Sequence, residues 1–207
     1  MKEPDFRKMQ MLKTAMRLYA LHGIEAVPLR VINRDAGSKN NSAMHYHFGN
    51  KAGLLDALAQ FIQERFEEVR EHELVTLENQ ITISSRDILR AFMAPYLKIM
   101  EAEEWGYDAV RFVARMEFES DPETRSILNK YAAPSIARFK KLLVKALPEI
   151  PTKVLYQRFN FCIASIMLGL ADHKSLSSSY MGNMAATVKQ LEKVHLDVCA
   201  SGLGAPV

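Results

Sequence analysis

Cysteine is scarce in this sequence. Only two occur among 207 residues, Cys162 and Cys199, and they lack the CxxC or Cys/His spacing of a zinc site. A disulfide framework is therefore excluded, and a reducing cytoplasm is the expected compartment. Aromatic residues make up 9% of the chain and hydrophobic residues 48%. This composition is typical of a globular protein with a substantial core, and it excludes a disordered or collagen-like chain.

Long apolar segments are lacking as well. The longest uncharged apolar run, residues 159–171, is shorter than the roughly 20 residues that cross a bilayer, and it contains Asn160 and Ser165. The N-terminus is charged at Lys2, Glu3 and Asp5, and no apolar stretch follows as a secretory signal requires. These absences predict a soluble, cytoplasmic protein with no membrane partner.

The net charge is small, at +3, but it is unevenly distributed. Residues 1–51 contain nine Lys and Arg against four Asp and Glu, a net charge of +5. The remaining residues contain 18 basic and 20 acidic residues, a net charge of −2. A basic N-terminal quarter suits a polyanionic partner such as nucleic acid, although a solvated surface is the more common reason for such a charge.

Helical periodicity dominates the chain, and no alternating strand pattern occurs. A first helix is predicted from Phe6 to His22, ended by Gly23, and a second from Leu29 to Ala36, ended by Gly37. A polar turn at 38–41 then leads to a short helix at 42–48. The remaining helices are predicted at Lys51–Glu73 with Asn50 as its N-cap, Arg86–Glu103, Tyr107–Ser120, Pro122–Leu147, Pro151–Lys174 and Met181–Ala200. The predicted fold class is all-α.

The long helix that starts at Lys51 is predicted to be amphipathic. Its apolar stripe consists of Leu54, Leu55, Leu58, Phe61, Ile62, Phe66 and Val69. Its solvent-facing side is predicted to carry Glu64, Glu67, Glu68 and Arg70.

Three short helices within the first 50 residues have the arrangement of a helix-turn-helix unit, whose last helix lies in the major groove of DNA. The third predicted helix carries hydrogen-bonding side chains, while Ala43, Met44 and Phe48 are placed to face inward. A short polar helix is also compatible with a solvated connector.

Residues 9–58 resemble the DNA-binding domain of the tetracycline-repressor-like (TetR) family of bacterial regulators. The matching pieces are AMRLYALHG at 15–23, Ile32 with Ala36-Gly37, and YHFGNK at 46–51 followed by Leu54-Leu55. The resemblance implies a helix-turn-helix domain at 1–52 and a larger helical domain at 53–207. It also implies that the larger domain binds a small effector and forms a homodimer.

The resemblance assigns roles to individual residues of the first domain. Lys51 matches a lysine that contacts a backbone phosphate at a helix N-terminus. Tyr46 and His47 match the recognition helix, the start of which approaches the bases, and Phe48 matches a core residue. Arg30 is interpreted as a phosphate contact, with a plain solvated arginine as the alternative. The predicted DNA-binding residues are Arg30, Lys39, Asn40, Asn41, Ser42, His45, Tyr46, His47 and Lys51.

Three features depart from the usual family pattern. His45 occupies the position of a common tyrosine, and Tyr46 follows one residue later. The turn at 38–41 is one residue longer than usual, which shifts the register of the recognition helix and leaves individual base contacts unassigned. Pro28 stands where a Ser or Thr cap often precedes the second helix.

The middle helices are expected to form an effector pocket, because Met and aromatic side chains adapt to irregular apolar ligands. Rows of Met and aromatic side chains along a helix also occur in ordinary hydrophobic cores. Arg111, Arg115 and Glu117 are placed either to orient a polar effector group or to form a surface salt-bridged face. The predicted ligand-binding residues are Met93, Tyr96, Met100, Trp105, Phe112, Arg115 and Met116, with Phe118 on the same stripe.

The last two predicted helices are interpreted as a dimer interface, with an internal core as the alternative. The stripe on the first of them contains Phe159, Cys162, Ile163, Ile166 and Leu170. The stripe on the second contains Met184, Val188, Leu191, His195 and Val198.

An enzyme is not predicted, and neither is a metal site or a cofactor. The motif at Glu192–His195 is a single ExxH, whereas a di-iron bundle needs two, and no P-loop, GxSxG or Rossmann fingerprint occurs. The predicted function is a sequence-specific transcriptional regulator, most often a repressor, that a small effector releases from a palindromic operator in double-stranded DNA. A non-specific architectural DNA-binding protein is the alternative, but such a protein does not need the helical body.

Overall fold

A computed structural model describes residues 3–38 and 43–207 of the chain, with side chains from Phe6 onward. The predicted DNA contacts Lys39, Asn40, Asn41 and Ser42 lie outside the described residues. Within these ranges the chain forms nine α-helices, one 3₁₀ helix and no β-strand, so the all-α prediction is confirmed. The α-helices are α1 Glu3–His22, α2 Leu29–Asp35, α3 Ala43–Phe48, α4 Lys51–Glu78, α5 Ser85–Ala102, α6 Gly106–Phe118, α7 Pro122–Ala146, α8 Thr152–Asp172 and α9 Val188–Leu203, with the 3₁₀ helix at His173–Ser178.

Two predicted boundaries are wrong by more than a few residues. Helix α4 continues to Glu78 rather than to Glu73, because Leu74 and Leu77 extend its buried stripe. Helix α9 begins at Val188 rather than at Met181. The reason is a capping box, in which the Thr187 hydroxyl accepts a hydrogen bond from the Gln190 backbone and the Gln190 side chain accepts one from the Thr187 backbone.

The first three helices are fixed by glycine-ended turns and a small core. Gly23 and Gly37 both have positive φ, at 88° and 73°, which is the left-handed conformation predicted for residues that end helices. After α2, the backbone amide of Ser38 donates to the carbonyl of Asn33 at 3.1 Å, closing the helix end. Between the helices lie the buried side chains of Tyr19, Ile24, Ile32, Met44 and Phe48.

Helix α4 joins this N-terminal part to the body. Leu54, Leu55 and Leu58 near its start, and Phe61, Ile62 and Phe66 farther along, are all buried in one continuous hydrophobic core. Helix α1 also packs against α6, where the rings of Tyr19 and Phe112 stack with centroids 6.0 Å apart. The N-terminal helices are therefore attached to the body at two places.

The body is a bundle formed by α5 to α9 against α4. Its centre is an aromatic cluster in which the Phe92 ring lies 5.7 Å from that of Phe139 and 5.9 Å from that of Phe159. Edge-to-face ring pairs of this kind join α5, α7 and α8.

Helix α8 is unusually apolar. By length and composition, residues Thr152–Ser178 pass a test for a membrane-crossing helix, a test that core helices of soluble proteins also pass. The sequence prediction of no membrane-length segment considered only the uncharged run at 159–171, which is shorter than this helical segment. Here α8 packs against α6 and α9 within the bundle, and one such helix is weak evidence for a membrane protein.

Candidate DNA-binding surface and effector cavity

Helix α3 presents one face to the core and the other to solvent. Met44 and Phe48 are buried, and Ala43 packs against the core, as predicted for these inward positions. On the outer face Tyr46 is 86% exposed, and His45 is exposed beside it. His47 is half-buried. The surface that helix α3 offers to a partner is therefore made of Tyr46 and His45, with the edge of His47.

His45 also makes a local contact that the sequence did not indicate. Its ring Nδ1 lies 2.6 Å from the carbonyl oxygen of Gly49, so Nδ1 carries the hydrogen and donates it. In a neutral ring this leaves Nε2 as an acceptor toward the outside. His45, Arg30 and Arg34 all line a groove between α2 and α3.

Lys51 is held by an ion pair. Its ammonium Nζ lies 2.8 Å from Oε1 of Glu25, in the turn after α1. The Lys51 side chain is 32% exposed and that of Glu25 is 73% exposed, so water reaches the pair. An exposed pair of this kind contributes at most about 1 kcal/mol, and a phosphate can therefore compete for the lysine.

The caps of α2 and α4 differ. Asn50 caps α4 as predicted, since its side chain accepts a hydrogen bond from the Gly53 amide at 2.8 Å. Pro28 precedes α2 without any side-chain cap, in agreement with the expected loss of a Ser or Thr hydroxyl there. Arg30 in the first turn of α2 is exposed.

A cavity of about 280 Å³ lies in the body between α4, α5, α6, α7 and α8. Its apolar wall includes Ile62, Phe66, Phe92, Val113, Met116, Leu128, Ile136 and Ile163. Its polar wall includes Gln63, Arg70, Tyr96, Glu117, Arg125, Asn129, Tyr131, Ser135 and Asn160. The cavity therefore offers a small molecule both apolar contacts and many hydrogen-bonding groups.

Two of the seven predicted ligand-binding residues, Tyr96 and Met116, line this cavity. The other five do not, because they lie on other sides of α5 and α6 or in the turn between them. These five are Met93, Met100, Trp105, Phe112 and Arg115.

These five predicted ligand-binding residues lie in the core or on the surface of the protein. Met93 is fully buried in the core, Met100 is half-buried against it, and Arg115 is exposed. The Trp105 ring packs against Phe61 with centroids 4.9 Å apart, and Phe112 stacks on Tyr19. Phe118 is 59% exposed.

Arg70 is a cavity residue that the sequence prediction placed on the solvent-facing side of α4. It is in fact buried, with 6% of its surface exposed. The missed signal is its spacing, since Arg70 lies four residues after Phe66 and four before Leu74, both on the buried stripe. Arg70 was nevertheless predicted to face solvent, because its side chain is charged.

The charged wall residues differ in their environments. Burial raises the pKa of the Glu117 carboxyl, which the nearby Arg125 cation opposes. Burial also raises the pKa of Tyr96, and the neighbouring Arg70 cation works against that shift. Arg125 donates from Nη1 to the backbone carbonyl of Glu117 at 2.9 Å. The cavity thus has two guanidinium groups and a single carboxyl group, whose neutral form is favoured by burial.

The last two helices bury five of the ten stripe residues that were predicted to form a dimer interface, whereas Val198 of the predicted α9 stripe is exposed. Phe159, Cys162, Ile166 and Leu170 of α8 and Leu191 of α9 lie in the core of the chain itself, and Met184 lies before α9. The large apolar residues that these helices expose are Phe161, Leu168, Val194 and Val198.

His195 lies where the two helices meet. Its Nε2 lies 3.2 Å from the carbonyl of Ser165 and its Nδ1 lies 2.8 Å from that of Leu191. The ring therefore links α9 to α8 beside the exposed apolar residues.

An N-terminal helix-turn-helix unit with an outward-facing third helix, joined to a helical body that contains a cavity, is the architecture of a DNA-binding transcriptional regulator. Comparison of sequences agrees with this. Residues 11–58 match the family model for bacterial regulatory proteins of the tetR family, and residues 90–202 match that for the tetracyclin repressor-like C-terminal domain. The chain belongs to the TetR family of transcription regulators.

Solved structures share this fold. A TetR family transcription regulator from Marinobacter aquaeolei VT8 is 16% identical, with a TM-score of 0.60 over 96% of this chain and 95% of that one. AmtR from Mycobacterium smegmatis is 15% identical, with a TM-score of 0.61 over 95% of this chain and 86% of that one. Among curated protein sequences, none matches this chain.

Proposed function

We propose that the protein is a homodimeric repressor that binds a palindromic operator and is released from it by a small molecule bound in the body cavity. The observation that carries this proposal is the path of α4. Lys51 begins this helix on the DNA side, and Phe66 and Arg70 of the same helix line the cavity. Lys51 and Arg70 are separated by 19 residue steps along the helix, which correspond to about 28 Å, so one stiff element connects the two sites.

The proposed DNA surface consists of the exposed side of α3 and the residues around it. It comprises Arg30, Lys39, Asn40, Asn41, Ser42, His45, Tyr46, His47 and Lys51. In a helix-turn-helix dimer the two recognition helices enter successive major grooves, about 34–36 Å apart. The exposed apolar residues of α8 and α9 are the proposed contact between the two copies, because burial of such residues favours association.

Release from DNA would follow if the effector binds two arrangements of the protein with different affinities. An effector that fits the cavity better in one arrangement of α4 shifts the population toward that arrangement. If that arrangement holds the two recognition helices at the wrong spacing, operator affinity falls.

The test is a measurement of DNA affinity by fluorescence anisotropy, on random duplexes and on duplexes selected for binding, from about 50 to about 300 mM salt. A specific regulator should prefer its selected site by at least about 10³-fold once non-specific binding is screened. The selected site should be palindromic. Equal affinity for both kinds of duplex would instead support a non-specific architectural protein.

A further inference from the structure

We propose that the body cavity binds a small monocarboxylate with an apolar body, and that the Arg70 guanidinium pairs with the carboxylate. The proposal rests on the proposed function, in which this cavity is the effector site, and it adds the chemical class of the effector. It is carried by the environment of Arg70.

Arg70 is a buried cation with weak compensation among the described residues. Its Nη1 donates to Oε1 of Gln63 at 2.8 Å, but that amide carries no charge. The carboxylate of Glu67 lies 3.8 Å away, and the Glu67 side chain is 56% exposed, whereas that of Arg70 is only 8% exposed. The Phe66 ring lies 5.4 Å from the guanidinium carbon. A buried charge is unfavourable unless a close counter-charge accompanies it.

A carboxylate ligand supplies that counter-charge in a suitable shape. The planar guanidinium matches the two oxygens of a carboxylate, so both can be bound by parallel hydrogen bonds. Tyr96 is also in the wall, and its ring packs against that of Phe66 with centroids 4.8 Å apart. Its hydroxyl lies close enough to Arg70 for the cation to oppose the raised pKa of Tyr96. This hydroxyl is a second donor for the same carboxylate.

The charge balance of the wall favours an anion over a cation. Arg70 and Arg125 are its two basic residues, and Glu117 is its single acidic residue. Burial raises the pKa of Glu117, against the opposing effect of Arg125, so burial disfavours the charged form of the one acidic residue in this wall. A ligand with an amine in place of the carboxylate would add a positive charge beside Arg70.

The size and lining of the cavity define the rest of the ligand. Its volume of about 280 Å³ is roughly twice that of a ~150 Å³ cavity that holds benzene, which leaves room for about a dozen non-hydrogen atoms. Phe92, Ile62 and Met116 provide an apolar surface for the body of the ligand. A short arylalkanoate or a medium-length alkanoate has the required size.

The experiment compares head groups on the same body. Binding to the full-length protein is measured by calorimetry for 3-phenylpropionate and octanoate, for the corresponding primary amides, and for 3-phenylpropylamine and octylamine. We expect at least one acid to bind about tenfold or more tightly than its amide and its amine. Failure of both acids to saturate the protein at millimolar concentration, or equal binding of acid and amide, would overturn the proposal.

Variants locate the carboxylate. Arg70→Gln should abolish the preference for acid over amide, while Arg65→Gln, an exposed arginine on the same helix, should leave it unchanged. Tyr96→Phe removes only a hydroxyl and should weaken the acid several-fold and the amide less, because the charged acceptor forms the stronger hydrogen bond, which keeps the test decisive if Arg70→Gln does not fold. An acid preference that survives both Arg70→Gln and Tyr96→Phe in folded protein would also overturn the proposal.

DNA release is measured separately on the selected duplex. If an acid binds in an Arg70-dependent manner without releasing DNA, the carboxylate site stands and the proposed regulation fails. If an amine binds and releases DNA whereas the acids do not bind, the regulation stands and the carboxylate site fails.

Discussion

Lys51 forms an ion pair with Glu25, and this pair leads to a prediction about DNA affinity. Glu25→Gln removes a negative charge near the expected phosphate and frees the ammonium, so binding to all duplexes should tighten several-fold. Lys51→Ala should weaken binding to all duplexes and flatten the salt slope by about one unit. Both changes are measured by anisotropy as a function of salt concentration.

The double variant serves as the control for this pair. If Glu25 acts mainly by holding the lysine, Glu25→Gln should have a smaller effect when Lys51 is already Ala. An unchanged affinity in Glu25→Gln would show that the ion pair has no influence on DNA binding.

Gly53 is required by a close approach of backbones at the start of α4. A Cβ at this position would lie 2.0 Å from the carbonyl oxygen of Phe48, the last residue of α3. Gly53→Ala must displace α3 relative to α4, and we expect it to lower the free energy of unfolding by about 1–3 kcal/mol and to weaken DNA binding. Urea denaturation and anisotropy measure the two effects.

Gly202 in α9 is the matched control, because a Cβ there would meet no atom within 4 Å. Gly202→Ala should leave stability unchanged or raise it by up to about 1 kcal/mol. A Gly53→Ala variant as stable as Gly202→Ala would contradict the role given to the close approach.

Sequence reasoning missed two features of the sites, the ion pair between Glu25 and Lys51 and the burial of Arg70. Glu25 and Lys51 are 26 residues apart, and their contact depends on how α1 and α4 pack. Arg70 carried a readable spacing signal, but its charge suggested solvent, and only the fold shows that α4 is covered on that side. Met44 and Phe48 were predictable, because their burial follows from the pattern within one short helix.

At the scale of elements, local signals explain which helix boundaries were predictable. The cap at Asn50 was predicted and is confirmed by its hydrogen bond to Gly53. The start of α9 was misplaced because Met184, Ala185 and Ala186 are good helix formers. The sequence does contain the correct signal, since Thr187 and Gln190 have the spacing of a capping box.

A second capping box, at the start of α5, predicts a pH dependence of stability. The Ser84 hydroxyl and backbone amide donate to the Asp87 carboxylate, which lowers the pKa of Asp87 below its ordinary value. The ionised form therefore stabilises the folded state, fully so above pH 3.8, the ordinary pKa that Asp87 has when the chain is unfolded. This contribution is lost as the pH falls from there through the lower pKa of the folded state.

We expect Asp87→Asn to lower the free energy of unfolding by about 1 kcal/mol at pH 7, as removal of a cap does. The difference from the unmodified protein should shrink below pH 3.8. Glu101→Gln, an exposed carboxylate in the same helix, is the control and should have little effect. A difference that stays constant between pH 7 and the acid limit of folding would contradict this account.

At the scale of the whole molecule, the order of the two parts was predictable but the cavity was not. The motif at 46–51 placed the DNA-binding part at the N-terminus, and periodicity gave the helical body. The cavity forms only where five helices converge. Tyr96 and Met116 line it, whereas Phe112 packs against Tyr19 instead. No local pattern distinguishes the side of α6 that faces the cavity from the side that faces α1.

The packing of the whole molecule also decides which sides of α8 and α9 remain exposed for the proposed contact with a second copy. Phe159, Cys162, Ile166 and Leu170 of the predicted α8 stripe lie in the core of one chain, so we propose that the interface instead uses exposed residues of α8 and α9, among them Val198 of the predicted α9 stripe. Leu168 is 58% exposed and Val198 is 65% exposed. These side chains favour association, because each removes apolar surface from water when two copies meet.

We therefore expect Leu168→Glu to convert the dimer into a monomer, because it would bury an unpaired charge in an apolar contact. Sedimentation velocity measures the change, and circular dichroism should show unaltered helix content. Operator affinity should fall, since a monomer binds one half-site at a time. Ile81→Glu is the control, because Ile81 is 96% exposed in the loop after α4 and should leave the assembly intact. A Leu168→Glu protein that remained dimeric would place the interface on another surface, and the spacing of the two recognition helices would then have to be set by that surface.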